Sequence, residues 1–227
     1  MRLDTDFAQH YDTVFDDAGP VFHRRAFERG GLSKRAQFSL FDRLGLATPA
    51  HGVVKDWRAE HPAPCIWGGD LDRWWGQDLR LVVYRDEHAH GGHGKDLMPL
   101  DRALEECPEA YASLFIPPAR HALNFRHIRI GRLGVWLRQQ GGPGEWRSNR
   151  SDIENVLLQD RHEGPFSIPR ALWAIDFIPA PDRLLAIDFN TAPDLSVLVE
   201  QPVVTPAQIL EELNFAAQLA PESLDQF

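Results

Sequence analysis

The sequence predicts an α+β fold with mainly antiparallel strands, and three observations support this prediction. The segments LWAIDFI and LLAIDF are separated by five residues and alternate between bulky and smaller or polar side chains, which is typical of a β-hairpin. FRHIRI and GVWLRQ flank Gly131 and predict a second hairpin. Helical periodicity is confined to separate segments near residues 33–45, near residues 99–106 and after Thr205. Strands and helices are therefore mixed along the chain.

The composition argues against several classes of function. The 227 residues include 33 acidic and 24 basic side chains, a formal charge of −9, which disfavours a nucleic-acid partner. No apolar segment approaches the roughly 18 residues of a membrane span, so we expect no membrane partner. The acidic N-terminal segment has the features of neither a signal peptide nor a transit peptide. Cys65 and Cys107 form no recognisable motif, which together with the other features predicts a cytoplasmic protein.

The helices and strands can be assigned from local signals. Ser33 is a suitable N-cap and Gly45 a suitable stop for a helix. We expect its buried face to comprise Ala36, Leu40, Phe41 and Leu44. LRLVVY predicts a buried strand and DEHAHGGHGKD the loop after it, and Pro99 then begins a helix that Pro108 closes.

The C-terminal helix carries the clearest capping signal in the sequence. TPAQ, starting at Thr205, has the pattern of a capping box with proline at the first helical position. We expect the apolar face of this helix to comprise Ile209, Leu210, Leu213 and Ala217.

Two aspartates in a repeated tetrapeptide are the main candidates for a functional site. AIDF occurs at 174–177 and again at 186–189. A hairpin with PAPDR as its loop would pair Asp176 with Ala186 and Ala174 with Asp188. Both carboxylates would then lie on one face, diagonally separated by about 7–8 Å, with Asn190 one step further along. These oxygens suit Mg²⁺, although a solvated hairpin face is the alternative interpretation.

The order of three motifs resembles the ATP-grasp superfamily. AIDF…LLAIDFNTAPDL is similar to its terminal metal-binding motif, and GEWRSN resembles the arginine-containing turn of the ribosomal-protein glutamate ligases. LSKRAQFSLFDRLGLATPAHGVV is similar to the first helix of that family. The resemblance implies two small α+β subdomains with antiparallel sheets flanking a nucleotide cleft. It would divide the chain into an N-terminal extension (1–30), the first helix with a small nucleotide-binding subdomain (31–118) and a larger subdomain with the metal site (119–227), with no N-terminal pre-grasp domain.

The resemblance also implies roles for individual residues, and ATP and Mg²⁺ as cofactors. The metal ligands would be Asp176, Asp188 and Asn190. Arg147 would contact the transferred phosphoryl group, supported by Asn149, and Arg129 or Arg126 of the central hairpin would lie near the active site. The nucleotide-binding residues would be Lys34, Gly92, Gly94, Lys95, Phe115 and Ile116.

Three positions depart from the family pattern. Tyr84 stands where the family usually has a lysine before the Gly-rich loop. Ser113 and Leu114 occupy the hinge where an acidic residue usually binds the ribose. Asp188 replaces the more common glutamate, with the same chemistry and a shorter reach.

The resemblance implies an ATP-dependent ligase that joins a carboxylate to an amine or thiol through an acyl-phosphate. The substrate would be a small-molecule or peptide carboxylate, and a homodimer or a partner chain could supply the missing domain. One alternative is a degenerate ATP-grasp binding or scaffold protein without turnover. Another is a metal-dependent hydrolase that uses His88, His90 and His93, although we favour solvated loop histidines.

Overall fold

The fold consists of two antiparallel sheets and the helices packed on them. The computed structural model describes residues 32–60, 79–88, 93–118, 121–142, 146–147, 154–158, 172–190, 193, 195, 197–198 and 204–219. The helices are α1 (Lys34–Arg43), α2 (Trp57–Glu60), α3 (Leu100–Glu106) and α4 (Pro206–Leu219). The strands are β1 (His51–Val53), β2 (Arg80–Tyr84), β3 (Lys95–Pro99), β4 (Tyr111–Leu114), β5 (Leu123–Ile130), β6 (Leu133–Gln140), β7 (Glu154–Leu158), β8 (Leu172–Pro179) and β9 (Leu184–Asn190).

All strand pairs are antiparallel, which confirms the predicted fold class. The smaller sheet has the order β1-β4-β2-β3 and the larger one β7-β6-β5-β8-β9. The hairpin around Gly131 is formed as expected, with Ile130 paired to Leu133 across a two-residue turn. Strands β1, β3, β4 and β7 were not predicted. Pro99 ends β3 and serves as the N-cap of α3 instead of its first helical residue.

Helix α1 connects the two sheets through an aromatic core. Ser33 Oγ accepts a hydrogen bond from the Ala36 amide at 3.2 Å, which confirms the predicted N-cap. Phe38 lies 6.4 Å from Tyr84 of the smaller sheet, and Phe41 lies 6.5 Å from Phe189 of the larger sheet, measured between ring centroids. The buried residues of α1 are Lys34, Gln37, Phe38, Leu40 and Phe41. The predicted face therefore omitted three buried residues, Lys34, Gln37 and Phe38. It included Ala36 and Leu44, which are only partly buried.

The register of the β8–β9 hairpin differs from the predicted one. Pro179 pairs with Leu184, so the turn has four residues instead of five. A β-bulge then leaves Ile187 without a cross-strand partner, and Asp176 pairs directly with Asp188. With a four-residue turn and no bulge, Asp176 would pair with Ile187, and Asp188 would lie on the opposite face of the sheet. The extra residue of the bulge brings Asp188 opposite Asp176, on the same face. The predicted pairing was wrong, although the two carboxylates do lie on one face.

Helix α4 packs on the larger sheet next to the β5–β6 turn. Thr205 Oγ1 accepts from the Gln208 amide at 3.2 Å, and Gln208 Oε1 accepts from the Thr205 amide at 2.9 Å, which confirms the capping box. Ile209 is buried, but Leu210 is 60% exposed, so its assignment to the apolar face was wrong. Ile209 and Leu213 both belong to the core of the larger sheet, and the side chain of Ala217 lies outside the described residues. None of the helices in the described ranges is long and apolar enough to span a membrane.

Candidate functional site

A cleft of about 1080 Å³ lies between the two sheets and brings together most of the predicted site residues. Its walls come from the facing ends of β2, β3 and β4 in the smaller sheet and of β5, β8 and β9 in the larger one. The predicted residues that line it are Lys95, Phe115, Ile116, Arg147, Asp176 and Asp188.

Asp176 is buried at the floor of the cleft and is held by Arg126 of the neighbouring strand. Arg126 Nε donates to Asp176 Oδ1 at 2.6 Å and Nη2 donates to Oδ2 at 2.7 Å, a bidentate pair. Burial raises the pKa of the Asp176 carboxyl, but Arg126 and a hydrogen bond from Asn124 lower it by more, and the net pKa lies below its usual value. Asp176 is therefore a charged carboxylate that already has a counter-ion.

Asp188 forms an ion pair with the ammonium group of Lys34. Lys34 is 2% exposed, and its Nζ also donates to Gln37 Oε1 at 3.0 Å and to the Ile187 carbonyl at 3.4 Å. Ile187 is the bulge residue, so the bulge supplies one of the hydrogen-bond acceptors of this lysine. Burial, and next the charge of Lys95, lowers the pKa of Lys34 well below its ordinary value. Lys34 thus has Asp188 as its ion-pair partner, and the charge of Asp176 raises its pKa in part.

The two aspartates match the donor chemistry that Mg²⁺ prefers, because two carboxylates face each other across adjacent strands. Within the described ranges, no group of three or more His, Cys, Asp or Glu side chains is placed to hold a metal ion. Asp188 is the more accessible of the two carboxylates, with 31% of its side chain exposed against 9% for Asp176. Asn190 follows on β9, opposite Ala174, and is outside the lining of the cleft.

Lys95 and Tyr84 form the wall of the cleft on the smaller sheet. They are directly paired on β2 and β3, and Lys95 Nζ lies 5.9 Å from the centre of the Tyr84 ring. The Tyr84 hydroxyl lies 3.0 Å from Ser113 Oγ, and burial raises the pKa of Tyr84 to about 12. Tyr84 therefore stays uncharged at neutral pH, and the positive charge at this end of the hairpin is on Lys95.

The hinge between the sheets has an aromatic corner of two residues, of which the sequence assigned Phe115 to the site and missed Trp146. Phe115 and Trp146 both line the cleft and meet edge to face, with ring centroids 6.0 Å apart. The guanidinium of Arg147 lies 5.0 Å from the Trp146 ring. The only sequence signal for Trp146 was its position beside the proposed arginine.

Some predicted residues lie elsewhere. Arg129 is three residues beyond Arg126 on β5, so strand alternation directs it to the other face, and its Nε donates to the Gly131 carbonyl at 2.8 Å. Gly94, with φ +61°, closes the base of the Gly-rich loop by accepting from the Arg85 amide at 2.8 Å. Gly92, Asn149, His90 and the N-terminal extension are outside the described residues.

The comparisons with known proteins give matches among solved structures only. No family model matches the chain, and no curated protein matches it. The ATP-grasp ligase PsnB, solved with a minimal precursor, is 12% identical with a TM-score of 0.53, covering 85% of this chain and 63% of PsnB. The RimK domain ATP-grasp protein of Sphaerobacter thermophilus is 14% identical with a TM-score of 0.50, covering 93% of this chain and 77% of that protein.

These likenesses, together with the two sheets and the cleft between them, show that the chain has the ATP-grasp fold. At identities of 12% and 14%, these likenesses show the fold alone, so any activity has to be argued from the residues of the site.

Proposed function

We propose that the cleft binds ATP and that the protein activates a carboxylate for ligation to an amine or thiol. The proposal rests on one observation, the convergence of Asp176, Asp188, Lys95 and Arg147 on a single cleft between two sheets of the ATP-grasp fold. Two carboxylates beside two cations suit a reaction in which phosphate charge is bound and then redistributed.

The proposed reaction has two steps. A carboxylate oxygen of the substrate attacks the γ-phosphorus of ATP, the bond to the β–γ bridging oxygen breaks, and ADP leaves. The amine or thiol then attacks the acyl carbon, phosphate leaves with the former carboxylate oxygen, and the proton of the nucleophile passes to solvent or phosphate. Neither step needs a nucleophilic side chain of the protein.

The chain's own residues would bind and orient the reactants. Lys95 and Arg147 would hold phosphate oxygens, since both are cations that line the cleft. Phe115 and Ile116 would provide an apolar surface for the base. Asp176 and Asp188, with Asn190 nearby, would hold Mg²⁺, which when bound neutralises phosphate charge.

A hydroxamate assay would test the proposed function directly. The protein is incubated with ATP, Mg²⁺, hydroxylamine and a panel of small and peptide carboxylates, and hydroxamate and ADP are measured together. We expect both products in equal amounts with at least one carboxylate, and their loss in Arg147→Ala. Lys55→Met is the matched control because Lys55 pairs with Glu109 on the exposed surface. Failure of ATP to raise the melting temperature under any condition would refute the proposal.

A binding or scaffold role without turnover is the second candidate. The observation that favours it is Tyr84, which leaves the strand before the Gly-rich loop without its usual cation. In that case ATP would raise the melting temperature while no carboxylate in the panel yields ADP.

The acceptor of the reaction and any partner remain predictions. A homodimer or a second chain would complete the substrate site, and size-exclusion chromatography with light scattering would reveal the former. The cytoplasmic location would be tested by fractionation of the source cells.

A further inference from the structure

We propose that Asn124 accepts a hydrogen bond from a ribose hydroxyl of the bound nucleotide, and that the cleft thereby selects ribonucleotides over deoxyribonucleotides. The inference deepens the proposed function and rests on it, because it requires that the cleft binds ATP. It gives a role to a residue of β5 that the sequence did not single out.

Two residues of the cleft lining carry a buried polar atom that has no hydrogen-bond partner among the residues that the structure describes. These atoms are Oδ1 of Asn124 and Nδ1 of His121. Asn124 is only 2% exposed, and a buried acceptor that lacks a donor is costly. Buried polar atoms of folded proteins are therefore nearly always satisfied. Since Asn124 lies on the cleft wall, we expect the donor for its Oδ1 to come from a ligand in the cleft.

The orientation of the Asn124 amide is fixed by its nitrogen. Nδ2 donates to Gln139 Oε1 at 3.0 Å and also to the Asp176 carboxylate, which uses both of its hydrogen atoms. Turning the amide over would bring Oδ1 against these two oxygens, and neither of them can donate. The nitrogen of Asn124 is thus occupied within the protein, and the oxygen is the atom that is open to a ligand.

The position of Asn124 matches that of the sugar in a bound nucleotide. Arg126 pairs with Asp176 across β5 and β8. The antiparallel register therefore places Asn124 beside Ile178, where the lining of the larger sheet changes from charged to apolar side chains. A ribose joins the phosphates, which need charged partners, to the base, which needs an apolar surface. Its two adjacent hydroxyls match the two atoms without a described partner, on Asn124 and His121.

Asparagine suits this position better than an acidic residue would. A carboxylate at residue 124 would place oxygen against oxygen at Asp176, whereas asparagine donates to Asp176 and keeps an acceptor for the ligand. The hinge offers no carboxylate either, since Leu114 is apolar and Ser113 Oγ lies 3.0 Å from the Tyr84 hydroxyl. Asn124 therefore provides from the larger sheet the acceptor that the hinge lacks.

Isothermal titration calorimetry with ATP, 2′-deoxy-ATP and 3′-deoxy-ATP in excess MgCl₂ tests the inference on the full chain. We expect at least one deoxy analogue to bind about tenfold more weakly than ATP, because it leaves the buried acceptor unpaired. A loss below about threefold with both analogues overturns the inference and leaves the proposed function standing. Absence of ATP binding overturns the proposed function itself.

Two variants distinguish a contact with the sugar from a structural role. In Asn124→Ala the preference for ATP over the weaker analogue should fall below about threefold, because the acceptor is gone. Asn214→Ala, at an exposed position of α4, should keep the full preference. Full preference in folded Asn124→Ala, as judged by circular dichroism, contradicts the assigned role. The three nucleotides with the wild type can still overturn the inference where this variant does not fold.

Discussion

Replacing Arg126 by methionine should destabilise the protein strongly at neutral pH. The substitution removes both hydrogen bonds to Asp176 and leaves that carboxylate at 7% exposure without its main counter-ion. Breaking a buried pair in this way typically costs 3–5 kcal/mol. Lys34 and Asn124 also lower the pKa of Asp176 and remain in place, so we expect the low end, about 3 kcal/mol.

The pH dependence of this loss gives a second, independent readout. In the wild type the folded pKa of Asp176 is depressed, so its contribution to stability is present above the unfolded value of about 3.9 and is lost as the pH falls through the folded pKa. Without Arg126, burial dominates and the folded pKa rises above the unfolded one. The variant should therefore be less stable at about pH 7 than at about pH 5, relative to the wild type.

Urea unfolding followed by tryptophan fluorescence would measure both effects. Arg58→Met is the matched control, since it breaks an ion pair with Asp101 in which both side chains are more than half exposed, and it should cost less than about 1 kcal/mol. The double variant Arg126→Met/Asp176→Asn should recover much of the loss because the buried charge is gone. A loss below about 1 kcal/mol in Arg126→Met, or an equal loss in the double variant, would show that the pair is not a buried charge pair.

Four further outcomes follow from two glycines, one helix cap and the titration of Tyr84. Gly131→Ala should cost about 2–4 kcal/mol in urea unfolding, because φ is +54° and a Cβ would lie 2.4 Å from the Glu212 carbonyl oxygen. Gly45→Ala, with φ +67° and open space around it, should cost only about 1–2 kcal/mol and so isolates the backbone strain. Ser33→Ala should cost about 1 kcal/mol by the same measurement, through loss of the α1 cap. Because unfolding lets Tyr84 ionise, Tyr84 should contribute about 2 kcal/mol to the loss of stability between about pH 10 and 12, and Tyr84→Phe should reduce the loss in urea titrations by this amount. The share of Tyr111, whose pKa burial also raises, should remain.

The sequence predicted those helices and strands whose signals are local, namely a helix cap or an alternation of apolar and polar side chains. Ser33, and Thr205 with Gln208, act through hydrogen bonds between residues three apart, so the sequence alone contains the whole interaction. The hairpin around Gly131 was also predicted because its turn and alternation are local. Strand β4 was missed since all four of its residues are buried and it shows no alternation.

The sequence predicted which residues line the cleft more fully than it predicted how these residues pair with each other. The order of the motifs indicated which residues would lie close together. Those that line the cleft are Lys95, Phe115, Ile116, Arg147, Asp176 and Asp188. The pairing of Lys34 with Asp188 spans 154 positions of sequence, and that of Arg126 with Asp176 spans 50, so no local pattern could reveal either. Strand alternation could have separated Arg126 from Arg129, since positions three apart on a strand point to opposite faces.

The bulge at Ile187 determines where the β8–β9 hairpin can change in length. Deletion of residue 187 would convert the bulge into a regular ladder and keep Asp176 opposite Asp188, but it would remove the carbonyl that accepts from Lys34 Nζ at 3.4 Å. Insertions between Ala180 and Arg183 only lengthen the turn and leave both faces in place. Natural or engineered length variation in this hairpin should therefore accumulate in the turn and spare position 187.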